Sequence, residues 1–185
     1  MRQGIIVGFM LGVGAAGCGG SQGDKPATAT DAKPDRIAGV EDTITKFKQK
    51  DSTIAEFFSK SAGYVVIPTV GEGGFIIGGG HGQGEAFEAG GKYVGRVTVN
   101  EVSIGAQVGG QSYSQLIFFE TPVDFTRLKD NAFQFTGEVL AIAADQGAAK
   151  NAAFKDGVAT FILPKKGLMA SASVAGQQLD FSPAK

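Results

Sequence analysis

The chain has 185 residues, with 17 basic and 18 acidic side chains and a formal charge of −1 at pH 7. Its longest basic run is Lys165-Lys166, whereas nucleic-acid binding normally requires a clustered basic face, so we expect no nucleic-acid partner. A single cysteine cannot form a disulfide within the chain, and a single histidine is too few for a His-rich zinc site. We therefore predict no disulfide framework, no bound metal and no cofactor.

The N-terminus has the features of a secretory signal peptide. Arg2 provides the positive start, an uncharged apolar run extends from Ile5 to Ala16, and small residues precede Cys18. The run is too short to cross a bilayer as a helix, which requires about 20 residues. We predict a signal peptide over residues 1–17, and hence an exported protein.

Cys18 follows Ala15-Ala16-Gly17, which resembles the lipobox of bacterial lipoproteins, where cleavage occurs before a cysteine that then carries lipid. The resemblance implies acylation of Cys18, with palmitate or a similar chain, and an anchor in the cell envelope. Because Gly19 follows the cysteine, the periplasmic side of the outer membrane is favoured if the host is Gram-negative. Ala15 replaces the usual leucine, so cleavage by ordinary signal peptidase, which would leave a free thiol, stays open. A buried structural cysteine is a third alternative, although the glycine and alanine residues around Cys18 provide no apolar core for it to join.

Residues 18–35 are rich in Gly, Ser, Thr, Ala and Pro, with no apolar periodicity, which is typical of a flexible linker. A coil of about 17 residues has a root-mean-square span of roughly 20–25 Å. The same composition is typical of a disordered N-terminus with no role beyond spacing. In both interpretations, one folded domain is predicted over residues 36–185.

Two amphipathic helices are predicted at the start of this domain. The first has apolar residues at three- and four-residue steps: Ile37, Val40, Ile44 and Phe47. In the second, Thr53 and Glu56 have capping-box spacing, and Gly63 is expected to end the helix. An amphipathic helix with lysines can lie on a membrane, but such a stripe more often packs on the core.

From Tyr64 onward, short apolar or alternating runs are broken by glycine, which is typical of β-strands. The predicted strands are Tyr64–Pro68, Phe75–Gly79, Gly84–Glu88, Tyr93–Val99, Val102–Val108, Gln115–Glu120, Phe133–Ala143, Val158–Leu163, Leu168–Val174 and Gln178–Phe181. A third helix is predicted where Thr121 can cap, Pro122 suits the first position and Asp124 complements the helix N-terminus. The predicted fold is α+β, with an antiparallel, strongly bent or barrel-like sheet of many short strands and two or three short helices.

Glycine is concentrated between Gly63 and Gly110, which contain 15 of the 29 glycines. The run Gly78–Gly84 has neither the Gly-Lys-Ser/Thr end of a phosphate-binding loop nor the spacing of a dinucleotide fingerprint. Strand-like sequence lies on both sides, and glycine inside strands permits bends and close approach of another chain. We therefore predict a bent, glycine-rich hairpin rather than a nucleotide site.

No residues have the spacing of a known catalytic site. His81 beside Glu72 or Glu85 would make only a weak site, and we favour an exposed loop position for it. Gly110–Ser114 lacks the final glycine of a nucleophile elbow. The candidates for an acid–base pair are Glu85, Glu88, Glu101, Glu120 and Asp124, and their spacing selects no two of them. We predict no catalytic residues and no enzyme.

Several glycine-aromatic blocks, in order, resemble the SYLF lipid-binding domain family. They are Ser61–Pro68, Gly73–Gly79, Gly82–Gly84, Ile104–Gln111, Leu116–Phe119, Lys166–Leu168 and Ser171–Gly176. The resemblance covers roughly residues 36–182 and departs at Tyr93–Asn100, where the tryptophan-containing segment common in the family is missing.

The resemblance implies phospholipid binding, with a phospholipid membrane as the partner. It assigns the contact surface to the first helix, through Lys46, Lys48 and Lys50 together with apolar Phe47. Actin and phosphoinositides, which are also associated with this family, do not suit an exported bacterial protein without an Arg/Lys cluster. The main alternative is an interaction module that docks on an envelope protein while only the anchor touches lipid. An enzyme that uses unidentified carboxylates is a third hypothesis.

Overall fold

The computed structural model describes residues 36–74, 77–104, 111–135, 141–166 and 176–185. The predicted signal peptide, Cys18 and the linker lie outside these residues. Three α-helices are described, α1 (Val40–Lys50), α2 (Ala55–Lys60) and α3 (Pro122–Lys129), together with 3-10 turns at Ser52–Ile54 and Ala149–Asn151. The strands are β1 (Gly63–Gly74), β2 (Ile77–Glu88), β3 (Lys92–Ile104), β4 (Gln111–Phe119), β5 (Ile142–Ala143), β6 (Val158–Lys166) and β7 (Gln177–Pro183).

The described strands form one sheet in the order β5-β6-β4-β1-β2-β3-β7. Every neighbouring pair is antiparallel except β5 and β6, which are parallel. Three helices and a mostly antiparallel sheet confirm the α+β class that the sequence predicted. The described sheet is open, with β5 and β7 as its edges.

A hydrogen bond across the interior shows how strongly the sheet bends. Tyr113 on β4 and Glu101 on β3 are separated by β1 and β2, a distance of about 14 Å in a flat sheet. The Tyr113 hydroxyl nevertheless donates to Glu101 Oε2 at 3.0 Å. The two strands therefore face each other across a curved sheet, as the prediction of a barrel-like sheet requires.

The segment after α3 contacts both edges of this curved sheet. The N–H of Phe135 donates to the carbonyl of Gln177, the first residue of β7, at 3.1 Å. Further along the chain, Ile142 and Ala143 form β5 and pair with β6. Phe135 therefore contacts the β7 edge, and β5, only two residues long, is itself the other edge of the described sheet.

Two apolar clusters lie on the two faces of the sheet because side chains alternate along each strand. The inner cluster fills the concave side and includes Val65, Ile67, Val97, Val99, Phe119, Ile162 and Leu179, with Phe125 and Leu128 of α3. The outer cluster includes Tyr64, Val66, Phe87, Leu116, Phe118 and Phe161, with Val40 and Phe47 of α1 and Phe57 of α2. α1 and α2 therefore cover the outer face.

The described strands are fewer and longer than the sequence predicted. The separate strands predicted at Phe75–Gly79 and Gly84–Glu88 belong to a single strand, β2, although Phe75 and Ile76 are not among the described residues. Those predicted at Tyr93–Val99 and Val102–Val108 likewise lie on β3 as far as Ile104. Glycine does not interrupt these strands, since Gly80 and Gly82 are paired on both sides and Gly84 is paired with Val97 of β3. The strand predicted at Leu168–Val174 lies outside the described residues.

Glycine within the β1–β2 hairpin permits close packing against an irregular strand. β1 has a register shift between Val66 and Thr69. A Cβ on Gly82 would lie 2.8 Å from the Thr69 carbonyl oxygen, and one on Gly84 would lie 2.7 Å from Ile67 Cγ1 and still closer to the Val66 carbonyl. The run Gly78–Gly84 lies within the single strand β2, so the hairpin predicted at this run is wrong, and its glycines instead permit close approach of the β1 backbone.

The helix caps were predicted with mixed success. Thr121 and Asp124 form a reciprocal capping box at α3, with Pro122 at its first position, as predicted. The capping box at Thr53 and Glu56 was wrong. Asp51 accepts the Thr53 N–H instead, and a 3-10 turn precedes α2. Gly63 does not end α2, which stops at Lys60; Gly63 begins β1, where a Cβ would lie 2.7 Å from the Phe125 ring.

Candidate functional site

The three lysines assigned to membrane contact are exposed on α1 and have different neighbours. Lys46 pairs with Asp42 at 2.7 Å, and Lys50 pairs with Asp145 at 3.2 Å. The ammonium group of Lys48 lies 4.7 Å from the centre of the Phe58 ring. At about 100° per residue, Lys46 and Lys50 lie on one flank of α1 and Lys48 on the other. The structure therefore does not bring the three lysines into one patch.

Phe47 lies in the core and not on the surface. Its side chain is 0% exposed and belongs to the cluster between α1 and the outer face of the sheet. The expectation that the apolar stripe of α1 packs on the core is therefore correct for Phe47. Its ring has no access to lipid while α1 is packed on the sheet. The membrane-contact role of the lysines remains a prediction.

A fourth lysine, Lys165 on β6, is close enough to α1 for the charge of Lys46 to act on it. The Lys165 ammonium donates to Thr69 Oγ1 at 2.8 Å and to the carbonyl of Pro68. Partial burial lowers the pKa of Lys165, and the nearby positive charge of Lys46 lowers it further, while Asp42 acts in the opposite direction. Lys165 therefore lies within electrostatic range of Lys46 and Asp42, although the two lysines are far apart in the sequence.

A cluster of four polar side chains lies inside the concave face, among apolar residues. Its members are buried: Glu101 at 6% exposure, Gln177 and Tyr113 at 1%, and Gln115 at 0%. The amide nitrogen of Gln177 donates to Glu101 Oε2 and to the Tyr113 hydroxyl, both at 2.9 Å. The amide nitrogen of Gln115 donates to Gln177 Oε1 at 2.9 Å.

The carboxylate of Glu101 sets the direction of this network. Gln177 turns its NH2 towards the acceptor oxygen Glu101 Oε2 and its own oxygen towards the amide nitrogen of Gln115. Gln115 then donates, and its own Oε1 is buried with no hydrogen-bond partner among the described residues. The sequence contains a signal for this cluster. Val97 and Val99 point inwards at every second position of β3, so the same alternation places the polar Glu101 inside the sheet.

His81 lies on β2 rather than in a loop, and it is exposed. Its Nδ1 lies 3.0 Å from Asn100 Oδ1, and Asn100 Nδ2 donates to Asp180 Oδ2 at 3.0 Å. Because Asp180 takes the amide N–H of Asn100, the oxygen of Asn100 faces His81 and favours a proton on Nδ1. The predicted exposure is confirmed, and the predicted loop is wrong.

The acidic residues considered for acid–base chemistry have separate surroundings. Glu85 lies on the outer face, where Arg36 binds it, and Glu101 lies on the inner face, so these two carboxylates do not meet. Glu88 pairs with Lys92 at 3.3 Å and lies 3.7 Å from Lys129. Asp124 caps α3 and Glu120 is exposed. Within the described ranges, no group of three metal-binding side chains occurs.

Comparisons with known proteins give one partial similarity. No family model matches the chain. Beta cell expansion factor A of Aeromonas veronii is 29% identical over 75 residues, which are 40% of this chain and 29% of that protein. The chain thus matches less than a third of the length of that relative, which is a SYLF-domain protein. The similarity is consistent with the SYLF resemblance over part of the chain. None of the helices that the structure describes has the length and apolar character needed to cross a membrane.

Proposed function

We propose that the protein is a non-enzymatic, lipid-anchored envelope protein whose SYLF-like domain binds phospholipid at the membrane surface. The observation that carries the proposal is the similarity to Beta cell expansion factor A, a SYLF-domain protein. Acylation of Cys18 supplies the anchor, and the periplasmic side of the outer membrane is the favoured address if the host is Gram-negative. No catalytic step and no cofactor belong to this proposal.

The pair Lys46 and Lys165 offers the domain a contact for anionic lipid. The bridge from Lys46 to Asp42 joins side chains that are 54% and 63% exposed, and such exposed pairs contribute only about 0–1 kcal/mol. A lipid phosphate can therefore compete with Asp42 for Lys46. A basic residue near an anionic surface contributes about 1 kcal/mol of membrane attraction, so two lysines give weak binding that the anchor would reinforce.

Sedimentation with anionic vesicles tests this contact. The full-length Cys18→Ala chain, which has no site for the anchor, should co-sediment with phosphatidylglycerol vesicles at low salt and dissociate as salt is raised. Lys46→Glu should reduce the bound fraction. Lys60→Glu is the matched control, because Lys60 also pairs four residues back, with Glu56 at 2.8 Å. Absence of sedimentation at low salt, or equal losses for the two variants, would contradict the proposed contact.

Metabolic labelling tests the anchor separately. Cells that express the native chain should incorporate labelled palmitate into the protein, and Cys18→Ser should lose the label. Incorporation that survives this substitution would refute acylation at Cys18. Export with an unlabelled, reactive thiol at Cys18 would support cleavage by ordinary signal peptidase.

A second candidate function is an interaction module that docks on an envelope protein. The observation in its favour is Val123 on α3, which is 71% exposed beside a shallow cleft of about 410 Å³. The cleft is lined by Pro122, Thr126, Arg127, Asp130 and Ala132. In this case Val123→Asp should abolish recovery of one specific partner from the envelope, while Lys46→Glu should have no effect on it. The reverse pattern of losses would favour lipid contact.

A further inference from the structure

Arg36 is the first described residue, and the fully buried carboxylate of Glu85 holds it against the outer face of the sheet. Its Nε lies 3.0 Å from Glu85 Oε1 and 2.8 Å from Oε2, and the N–H of Ile37 donates to the same carboxylate. Glu85 is 0% exposed, whereas the Arg36 side chain is 32% exposed. A buried carboxylate is costly without a cation or hydrogen-bond donors, so this position on β2 requires a positive group beside it.

Two aromatic rings form the other sides of the position that Arg36 occupies. The guanidinium carbon lies 4.7 Å from the centre of the Tyr93 ring and 5.4 Å from that of Phe87. The two rings are 6.1 Å apart and inclined at 63°, so they form a corner and not a stack. Tyr64 stacks on Phe87 at 5.1 Å and supports it from within the outer cluster. The guanidinium therefore faces two rings and the carboxylate of Glu85, and its Nη2 also lies 3.6 Å from Oε1 of the exposed Glu41.

We propose that Glu85, Phe87 and Tyr93 form a binding site for an organic ammonium group, and that Arg36 occupies this site in the described conformation. Aromatic rings around a positive charge are the means by which proteins recognise quaternary ammonium groups. The buried carboxylate adds charge complementarity. In this state the chain blocks its own site, and a ligand must displace Arg36 in order to enter.

The segment that carries Arg36 is suited to such displacement. It precedes α1, which begins at Val40, and Arg36 and Ile37 belong to no helix or strand. Gly39 adopts a φ of 87°, a left-handed conformation that glycine reaches without strain. A change at Gly39 can therefore move Arg36 while α1 stays packed on the sheet.

Comparison with two other cation–ring contacts shows what is particular to Arg36, which faces two rings and a buried carboxylate. Arg127 lies 5.6 Å from the Phe133 ring, and Lys48 lies 4.7 Å from the Phe58 ring. Each of these cations faces a single ring in the described contacts. Among the described residues, the acidic partner of Arg127 is Asp124 at 4.0 Å, and this carboxylate is partly exposed. Arg127 therefore provides a matched control.

Titration with tetramethylammonium tests the proposal, with binding measured by calorimetry and by the side-chain NMR signals of Tyr93. The full-length Arg36→Ala variant should bind saturably, whereas the native chain should bind at least about tenfold more weakly because Arg36 competes. In the Arg36→Ala background, Tyr93→Ala should weaken binding roughly 10- to 30-fold, and Glu85→Gln should weaken it as well. Arg127→Ala should behave as the native chain does.

Two results would overturn the proposal. One is an Arg36→Ala chain that responds to tetramethylammonium as it does to sodium at equal ionic strength. The other is binding that Tyr93→Ala leaves unchanged. If Arg36→Ala does not fold, Arg36→Gln keeps the aliphatic stem and an amide for Glu85, and the same titration on that variant decides.

Sedimentation with vesicles shows whether the ammonium group belongs to a lipid headgroup or to a free compound. A Cys18→Ala/Arg36→Ala chain that sediments with phosphatidylcholine vesicles, and loses this on Tyr93→Ala, takes the choline headgroup of a lipid. A chain that binds tetramethylammonium but not these vesicles takes a free ammonium compound. Phosphatidylcholine has no net charge, so this experiment is independent of the lysine contact with anionic vesicles, and either proposal can fail without the other.

Discussion

Gln115 on β4 and Gln177 on β7 lie four strands apart in the order of the sheet, yet their side-chain amides are hydrogen bonded at 2.9 Å. In a flat sheet these strands would be about 19 Å apart. The curvature therefore brings the last strand of the chain against the opposite side of the interior. Side chains make this contact across the concave face, in addition to the backbone pairing between neighbouring strands.

Gln177→Ala tests the energetic weight of the interior cluster. The substitution removes partners from Glu101, Tyr113 and Gln115 at once, and each buried polar group left unpaired is costly. We expect the free energy of unfolding to fall by about 1–3 kcal/mol, as measured by urea denaturation. Its neighbour Gln178 is exposed and bonded to Asp180, so Gln178→Ala should change stability by no more than about 0.5 kcal/mol. Equal effects at the two positions would contradict a role for the cluster.

Gly84→Ala tests the close approach of β1 and β2. A Cβ at this position would overlap the Val66 carbonyl and lie 2.7 Å from Ile67 Cγ1, so the strands would have to separate. We expect a loss of about 1–3 kcal/mol in thermal or urea denaturation. Gly71→Ala is the control, because a Cβ there meets no atom within 4 Å. That variant should be neutral or slightly stabilised, and a large loss there would refute the packing explanation.

Phe47→Ala distinguishes a core role from a membrane-contact role. Phe47 is fully buried, so the variant should lose about 3–5 kcal/mol of unfolding free energy. Val123→Ala, at a side chain that is 71% exposed, should stay within about 0.5 kcal/mol of the native chain. A Phe47→Ala variant that keeps native stability but loses vesicle binding would instead place this ring on the membrane surface.

The lowered pKa of Asp51 predicts that the folded protein loses stability in acid. Burial alone raises the pKa of Asp51, but hydrogen bonds from the Ala149 N–H and from Thr53 outweigh it and hold the pKa below its usual value. A lowered pKa in the folded state stabilises the protein above the unfolded pKa of about 3.9, and this contribution disappears as the pH falls through the lower folded value. The stability difference between the native chain and Asp51→Asn should therefore be constant near neutral pH and shrink below about pH 4. A difference that is unchanged down to pH 2 would contradict this account.

Local sequence was sufficient to predict the helices and the class of fold. The apolar spacing of α1 and the Thr121–Asp124 capping box depend on residues within one or two turns of each other. The second helix was predicted with the wrong cap: Asp51 caps Thr53 with one carboxylate oxygen, and its other oxygen accepts the N–H of Ala149, which is 98 residues away. A local capping pattern does not contain that contact.

The candidate sites depend on distant contacts, and the sequence predicted them less well. Glu101 was one of five acidic candidates, and only the curvature of the sheet places it beside Tyr113 and Gln177. Glu85 was considered as a partner for His81, whereas its actual partner is Arg36, 49 residues earlier in the chain. Pairings across separate strands follow from the register and the bend, which single-sequence patterns do not fix.

The segment that touches both β6 and β7 also affects how copies of the protein behave beside one another. An uncovered edge strand presents unpaired N–H and C=O groups, on which a strand of another chain can add and begin aggregation. Here one described edge is only the two residues Ile142 and Ala143, and at the other edge β7 pairs with Gln134 and accepts the Phe135 N–H. If Cys18 carries the proposed lipid anchor, copies of the protein meet often on the membrane, in nearly fixed orientation. The contact of Phe135 with β7 then favours separate molecules over a growing β-assembly, and a Phe135→Pro variant, which lacks this N–H, should assemble more readily at high surface density.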